Sequence, residues 1–481
     1  MRRLTLFLLL LVAGSCFAQR TIESTEKPSV PRLVITHVTV IDAPGAAAKL
    51  DQTVIITGVK ITEVGSATKV SVPKDARTID GKGKFLIPGL WDMHTHLAGF
   101  TADPHWSAPL LGVLIANGIT GVRDMGGSLP DLQKWRTEIE AGRMAGPHIV
   151  ASGPALDGDK NKLPDILAAN TPAVARSAVI TVKAMGADLV KILSGIPREA
   201  YFEIAKFSQE QKMSFAGHVP AEVSVAEASD AGQKSVEHLD GIQLACSEKE
   251  QEQRKALLEA VEKGDLTALD KLRPEILAAF SRKKCDALFA RFKRNGTWQV
   301  PTQIWTRTVA TIDKADSADP NLKFLPASLT SDWTAEKLAK QFSERTRSVY
   351  AQRFERGKEF VRMMNTAGVG LLAGSDSIDP YVFSGSSLHQ ELAIFVEEGL
   401  TPQQALQTST RNPAQYFSRA DIGTIETGKM ADLVLLNADP LNDIHNTTKI
   451  DSVIFNGKFY SRANLDKLLE DARNAAAAYK P

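Results

Sequence analysis

Through the middle of the chain, short apolar runs end in glycine, serine or another polar residue, and a helical pattern follows each one. The runs are "LIPGLWDMHTHL", "GITGVRDMGG", "PHIVASGPALDG", "ADLVKILSG", "MSFAGHVP", "SVEHLDG", "WQVPTQIW" and "VGLLAGSDS". Segments such as "LPDLQKWRTEIEAGRM" and "PREAYFEIAKFSQEQK" lie between them, with apolar residues at helical spacing. Eight strands alternating with helices make an α/β chain whose economical closure is a (β/α)8 barrel. Chemistry in such a barrel collects where the strands end.

The flanks follow a different rule. Residues 30–84 and 420–463 alternate apolar and polar residues between Gly and Asp-Gly breaks, as short antiparallel strands do. They predict one small β domain assembled from both ends, around a barrel over 85–419, with 464–481 as a terminal helix or tail. A charged helical insertion interrupts the barrel rhythm around 243–295, and a second long segment runs from about 306 to 362. Both leave from strand ends, so each is read equally as a wall of the catalytic face or as a solvated elaboration.

Residues 1–18, "MRRLTLFLLLLVAGSCFA", carry two arginines, an apolar run and small residues, the pattern of a secretory leader. Cleavage after Ala18 would remove Arg2 and Arg3 and change the formal charge from +1 to −1. A periplasmic or secreted location follows as the expectation. Lipid attachment at Cys16 is the weaker reading, because Ala13 stands where a lipobox would carry a leucine-like residue. A balance of 57 basic against 56 acidic residues gives no reason to expect nucleic acid or an anionic membrane as partner, and no membrane insertion is expected after cleavage. The expected partner is a small-molecule substrate; a homo-oligomer is compatible with the sequence. Cys246 and Cys285 remain in the mature chain, open between a disulfide and two buried thiols.

Unusual polar residues fall at the strand ends. His94 and His96 close the first run, Lys191 sits in the fourth, His218 and His238 end the fifth and sixth, and Asp376 ends the eighth. Alternation along a strand turns His94 and His96 to one face. Four imidazoles and a carboxylate suit zinc or a similar divalent ion. A protonated lysine would repel such ions; a buried neutral amine, however, can add carbon dioxide and become a carbamate with two oxygens. An ordinary ion pair is the alternative for Lys191.

These motifs, "PGLWDMHTHL", "VKILSG", "GHVP", "EHLDG" and "GSDS", with "GTIETGKMADLVLLNADPL" near the end, resemble the amidohydrolase superfamily over about residues 32–460. The resemblance implies a TIM barrel with a small β-sandwich domain, and within the superfamily the two-metal subtype with a carboxylated lysine. It also implies that His94, His96 and Asp376 bind the more buried ion, that His218 and His238 bind the more exposed one, and that Lys191 bridges them. The nearest-looking branch holds prolidase-like and Xaa-Arg or Xaa-Lys dipeptidases, beside imidazolonepropionase-related proteins.

The expected reaction is hydrolysis of an amide bond in a dipeptide or N-acyl amino acid. Hydroxide shared by two metals attacks, and Asp376 serves as general base and then general acid. A lactonase or phosphotriesterase using the same two ions is the runner-up. A deaminase of this superfamily carries a shuttling glutamate three residues after the fifth-strand histidine, where this chain has Ala221. A metal-bound binding protein without turnover is the remaining rival. Arg123, Arg198, Tyr201, Gln303 and His105 are weaker candidates for substrate contact and stay outside the expected site.

Overall fold

The structure, a computed structural model, describes residues 32–42, 48–99 and 103–480. The expected leader and Cys16 lie outside the described residues. Among them, no helix is long and apolar enough to cross a membrane.

Parallel strands carry the middle of the chain. Leu90–Thr95, Ile119–Asp124 and His148–Ala151 form one sheet. Leu189–Ile192, Ser214–Gly217, Ser235–Glu237 and Trp298–Val300 lie side by side in another, extended at its edge by Ala155–Asp157 and Ile166–Ala168. Leu90–Thr95, Ile119–Asp124 and Leu189–Ile192 are buried at every residue, as parallel strands covered by helices on one face and packed on the other must be.

Single contacts rather than ladders join the two sheets. The Asp188 N–H donates to the Ala151 carbonyl at 2.8 Å. On the other side, residues 371–377 lie between Trp298–Val300 and Leu90–Thr95, bonded by Leu372 N–H to Gln299 O (2.9 Å) and by Met93 N–H to Ala373 O (2.9 Å). The eighth run is therefore not a regular strand. Isolated parallel bridges, Gln299 with Leu371 and Thr95 with Ser377, hold it in place.

Close packing explains one glycine in this inner layer. A Cβ on Gly121 would fall 2.1 Å from the Trp91 indole, so only glycine leaves room for that ring beneath the site.

The flanking segments pair with each other. Strands Arg32–Val40, Lys49–Thr57, Lys60–Ser66 and Phe85–Pro88 join Leu433–Leu436, Ile450–Phe455 and Lys458–Tyr460 in one sheet. Its edge strand reaches back to residues 428–431, with Ile61 N–H donating to Lys429 O and Ala431 N–H to Val59 O, each at 2.9 Å. The sheet thus curls around a core that includes Ile35, Ile56, Leu86, Leu433 and Ile454. The terminal helix Arg462–Ala478 packs back on Leu110–Ala116, where Leu468 approaches Gly112.

The insertion folds as helices Glu250–Lys263, Leu266–Ala278 and Arg282–Asn295. A disulfide between Cys246 and Cys285 closes its base, which resolves the question left open by the sequence. The second long segment ends in the helix Glu344–Ala367.

Candidate metal centre

The six residues singled out from the sequence converge. His94 lies within its strand, while His96, His218 and His238 fall just beyond theirs. Ring centroids of His94 and His96 are 5.2 Å apart, those of His94 and His238 are 4.9 Å apart, and those of His218 and His238 are 4.9 Å apart. Asp376 Oδ1 stands 3.4 Å from His94 Nε2 and 3.3 Å from His96 Nε2, with Oδ2 3.7 Å from His238 Nδ1. Among the described residues, the ligand atoms of His94, His96 and Asp376 form a compact group that could hold a metal ion. Lys191 is buried on the neighbouring fourth strand, at the wall of the same cavity as His96, His218 and His238.

Each imidazole is anchored through Nδ1. His94 Nδ1 pairs with Glu237 Oε2 (2.8 Å), His96 Nδ1 with the Gly126 carbonyl (3.2 Å), His218 Nδ1 with Ser194 Oγ (2.8 Å) and His238 Nδ1 with Thr302 Oγ1 (2.7 Å). Such bonds fix the ring planes, and the acceptors Glu237 and Gly126 O also set the tautomers of His94 and His96, whose Nε2 atoms face Asp376 Oδ1. Two buried nitrogens, His94 Nε2 and Lys191 Nζ, have no hydrogen-bond partner among the described residues. Orphaned buried nitrogens are costly unless something absent from the polypeptide satisfies them. The donor set therefore fits divalent metal.

Electrostatics agree with that reading. Burial, reinforced by Lys191, lowers His94 to about 3, and burial holds His218 well below the imidazole range, so both stay neutral and able to ligate. Burial would lower His96 too, but the hydrogen bond and charge of Asp376 outweigh it and raise this ring. Asp376, which burial would raise, is held well below the carboxylate range by His94, His238 and His96. Burial pulls the Lys191 ammonium down to about 8, against the pull of Glu237 and Asp376. The backbone is strained where the site is made: Asp376 (φ 63°), His238 (φ 59°) and Thr302 (φ 47°) all lie in the left-handed region.

Sequence reading missed the supports beneath these ligands. Glu237, next to His238, binds His94 from below and is itself clamped by Arg123 through bonds of 3.0 and 2.9 Å. Arg123 also donates to Met93 O, Ser235 Oγ and Tyr416 Oη. It is thus an internal prop with Glu237 as its carboxylate partner, not a substrate contact. Asp92, two residues before His94, accepts from Ser375 N–H (2.9 Å) and Ser375 Oγ (2.6 Å), and so holds the turn that presents Asp376. The available signal was a charged residue within a short run buried at every position.

The weaker candidates separate. Arg198 pairs with Glu227, Tyr201 is buried with its hydroxyl on Gln233 (2.7 Å), and His105 is exposed beside Asp103. Gln303 is not on the seventh strand: it opens the helix Gln303–Ala310 and donates to Glu398. Trp305, Tyr350, Arg353 and Asp379 line the metal-side cavity of about 480 Å³ instead; Trp305 closes the seventh run without having been singled out, and the other three lie outside the eight runs.

The profile described as the amidohydrolase family matches residues 85–460. The chain belongs to that family. Among solved structures, a putative prolidase from Bifidobacterium longum superposes with a TM-score of 0.66 at 22% identity, covering 92% of this chain and 100% of that one. A bottromycin amidohydrolase superposes with a TM-score of 0.71 at 19% identity, covering 92% and 90%. An adenine deaminase of Ligilactobacillus salivarius is 32% identical over 83 residues; the match spans only 17% of this chain and 14% of that protein.

Proposed function

We propose that this amidohydrolase cleaves the amide bond of a small substrate, a dipeptide or an N-acyl amino acid, at a pair of divalent ions, for which zinc suits the donor set. The observation that carries the reading is the anchoring of all four imidazoles through Nδ1, together with His94 Nε2 and Lys191 Nζ, both buried and without hydrogen-bond partners among the described residues. His94, His96 and Asp376 would hold the deeper ion, and His218 and His238 the outer one; Lys191 would contribute as a carbamate, formed when its neutral amine adds carbon dioxide and releases a proton. Bound metal supplies polarisation of the substrate carbonyl and a lowered pKa for water.

The chain's own groups do the rest. Asp376, anionic and bonded on the Oδ1 side, accepts the proton of the attacking water at Oδ2 and returns it to the leaving nitrogen. Glu237, clamped by Arg123, fixes the His94 ring in plane through Nδ1, while burial keeps that ring neutral. Trp305, with its ring 6.1 Å from His238, narrows the mouth.

The eight parallel segments are read as one (β/α)8 barrel over 85–419, and the curled sheet as a β-sandwich domain from 30–84 and 420–463. Export to a periplasmic or extracellular space is inferred from residues 1–18, and the Cys246–Cys285 bond is in keeping with an oxidising compartment.

Deamination is the second reading, favoured by the short similarity to adenine deaminases. Against it, Ala221 occupies the position three after His218, and Glu222 is tied to the Arg198 N–H at 2.8 Å. Zinc-loaded protein assayed against dipeptides, N-acyl amino acids, lactones, aryl phosphotriesters and adenine tests the assignment. Amide cleavage should dominate; turnover of any other class without amide cleavage would overturn it.

A further inference from the structure

A second cavity of about 530 Å³ adjoins the metal-side cavity and shares Ser194, His238, Asp240 and Arg353 with it. The insertion supplies much of its wall. Leu257 and Val261 come from one inserted helix and Ile276 and Leu277 from the next, facing Leu244 and Phe360. An apolar chamber of this size, joined to a reactive centre, is of the kind that holds part of a ligand.

Its charge is one-sided. Arg254, Arg273, Arg353 and Arg356 line it, against the single carboxylate of Asp240. Three of these arginines have acidic partners set outside the cavity: Arg254 with Glu250, Arg273 with Asp270 and Arg356 with Glu359. Arg353 differs. It stands at the junction, donates to the His238 carbonyl at 3.2 Å, and has its nearest carboxylate, Asp240, at 3.6 Å. That longer pairing leaves most of a planar fork of donors for a second carboxylate.

From the metals outward, a substrate would meet first a guanidinium and then an apolar wall. In an N-acyl amino acid, the carboxylate and the side chain branch from the one carbon that carries the scissile nitrogen. We propose that Arg353 binds the carboxylate of the leaving amino acid and that the second chamber takes its side chain, so that the preferred substrates end in a bulky apolar residue. The arginine-lined wall equally disfavours a terminal arginine or lysine, whose cationic side chain would enter a field of its own sign. This rests on the amide-hydrolase reading above and names its substrate class.

The test compares kcat/KM of the zinc-loaded full chain on N-acetyl-L-phenylalanine, N-acetyl-L-alanine, N-acetyl-L-arginine and the carboxylate-free N-acetylphenethylamine. Phenylalanine should exceed alanine by at least about tenfold, with arginine the poorest. Arg353→Met should reduce the advantage of N-acetyl-L-phenylalanine over N-acetylphenethylamine by about tenfold to a hundredfold. Leu257→Arg, away from the metals, should reduce the phenylalanine-to-alanine ratio. Equal rates on the three amino acids, a preference for arginine, or an unchanged carboxylate advantage in Arg353→Met would overturn the inference.

Calorimetric titration with L-phenylalanine and L-arginine separates this inference from the reading it rests on. Binding of phenylalanine alone, weakened by Arg353→Met, supports the chamber even in a protein that cleaves no amide, a result that would instead overturn the hydrolase reading. Absence of phenylalanine binding overturns the chamber whatever the protein hydrolyses.

Discussion

The Glu237 carboxylate lies 2.8 Å from His94 Nδ1, and both side chains are fully buried. This pair joins the histidine cluster to the interior, because the same carboxylate receives both bonds from Arg123 Nη2. Arg123 keeps Glu237 ionised, against the burial that would raise it, and holds it well below the glutamate range.

Glu237→Gln removes the anion but keeps the shape. The amide can still meet His94 but no longer sets its tautomer or balances Arg123. Metal affinity should fall by about tenfold to a hundredfold, read by competition with a coloured chelator. Thermal stability should fall as well, since one partner of a buried pair is left uncompensated.

Lys191→Ala addresses the bridge. Loss of most bound metal and most amide turnover is expected, with metal content read by mass spectrometry. If the bridge is a carbamate, protein prepared without carbon dioxide should bind metal poorly and recover when bicarbonate is added. Full metal content and activity in Lys191→Ala would remove Lys191 from the centre.

Glu398 gives a pH dependence away from the metals. Burial pushes its carboxyl up to about 8, with Gln303 donating to Oε1 at 2.6 Å and no partner for Oε2 among the described residues. The folded chain keeps this proton up to about pH 8, whereas an unfolded glutamate loses it near 4.5. Its contribution to stability is thus full below pH 4.5 and is lost as pH rises through 8. Glu398→Gln should flatten this slope and raise stability at pH 8.5 by roughly 1–3 kcal/mol relative to the native chain. Denaturant titrations at pH 5 and at roughly pH 8.5 check it, as the two ends of that window.

Cys246 and Cys285 close a loop with a sequence separation of 39 residues, which holds two of the inserted helices. A cross-link over such a loop restricts the unfolded chain, so the Cys246→Ser, Cys285→Ser double variant should lose about 2–4 kcal/mol in denaturant unfolding. Because the insertion walls the second cavity rather than the metal ligands, metal content should be retained.

Much of this candidate site was readable in advance because histidines and carboxylates suit divalent metal, and those at or near the ends of neighbouring parallel strands come together. His94, His96, His218, His238 and Asp376 each followed an apolar run, and Lys191 was conspicuous inside one. The α/β alternation was legible for the same reason, since strands buried on both faces read as unbroken apolar runs. What escaped has a common cause. Glu237 and Asp92 act by pairing with residues far along the chain, Arg123 and Ser375, and no local period records such pairings. The eighth run looked like a strand, yet the demand to present Asp376 in a left-handed turn leaves only isolated bridges. Tyr350 and Arg353 reach the cavity from a long segment whose charged helical pattern equally suits a solvated surface, and Trp305 reaches it from the helix Gln303–Ala310.

The central claim is that these six side chains meet around catalytic metal, and its most direct test is metal stoichiometry with activity followed through stripping and reloading. Purified chain should carry two divalent ions, lose amide hydrolysis in step with their removal by a chelator, and regain it on addition of zinc. Undiminished turnover in protein shown by mass spectrometry to be free of metal would contradict the account.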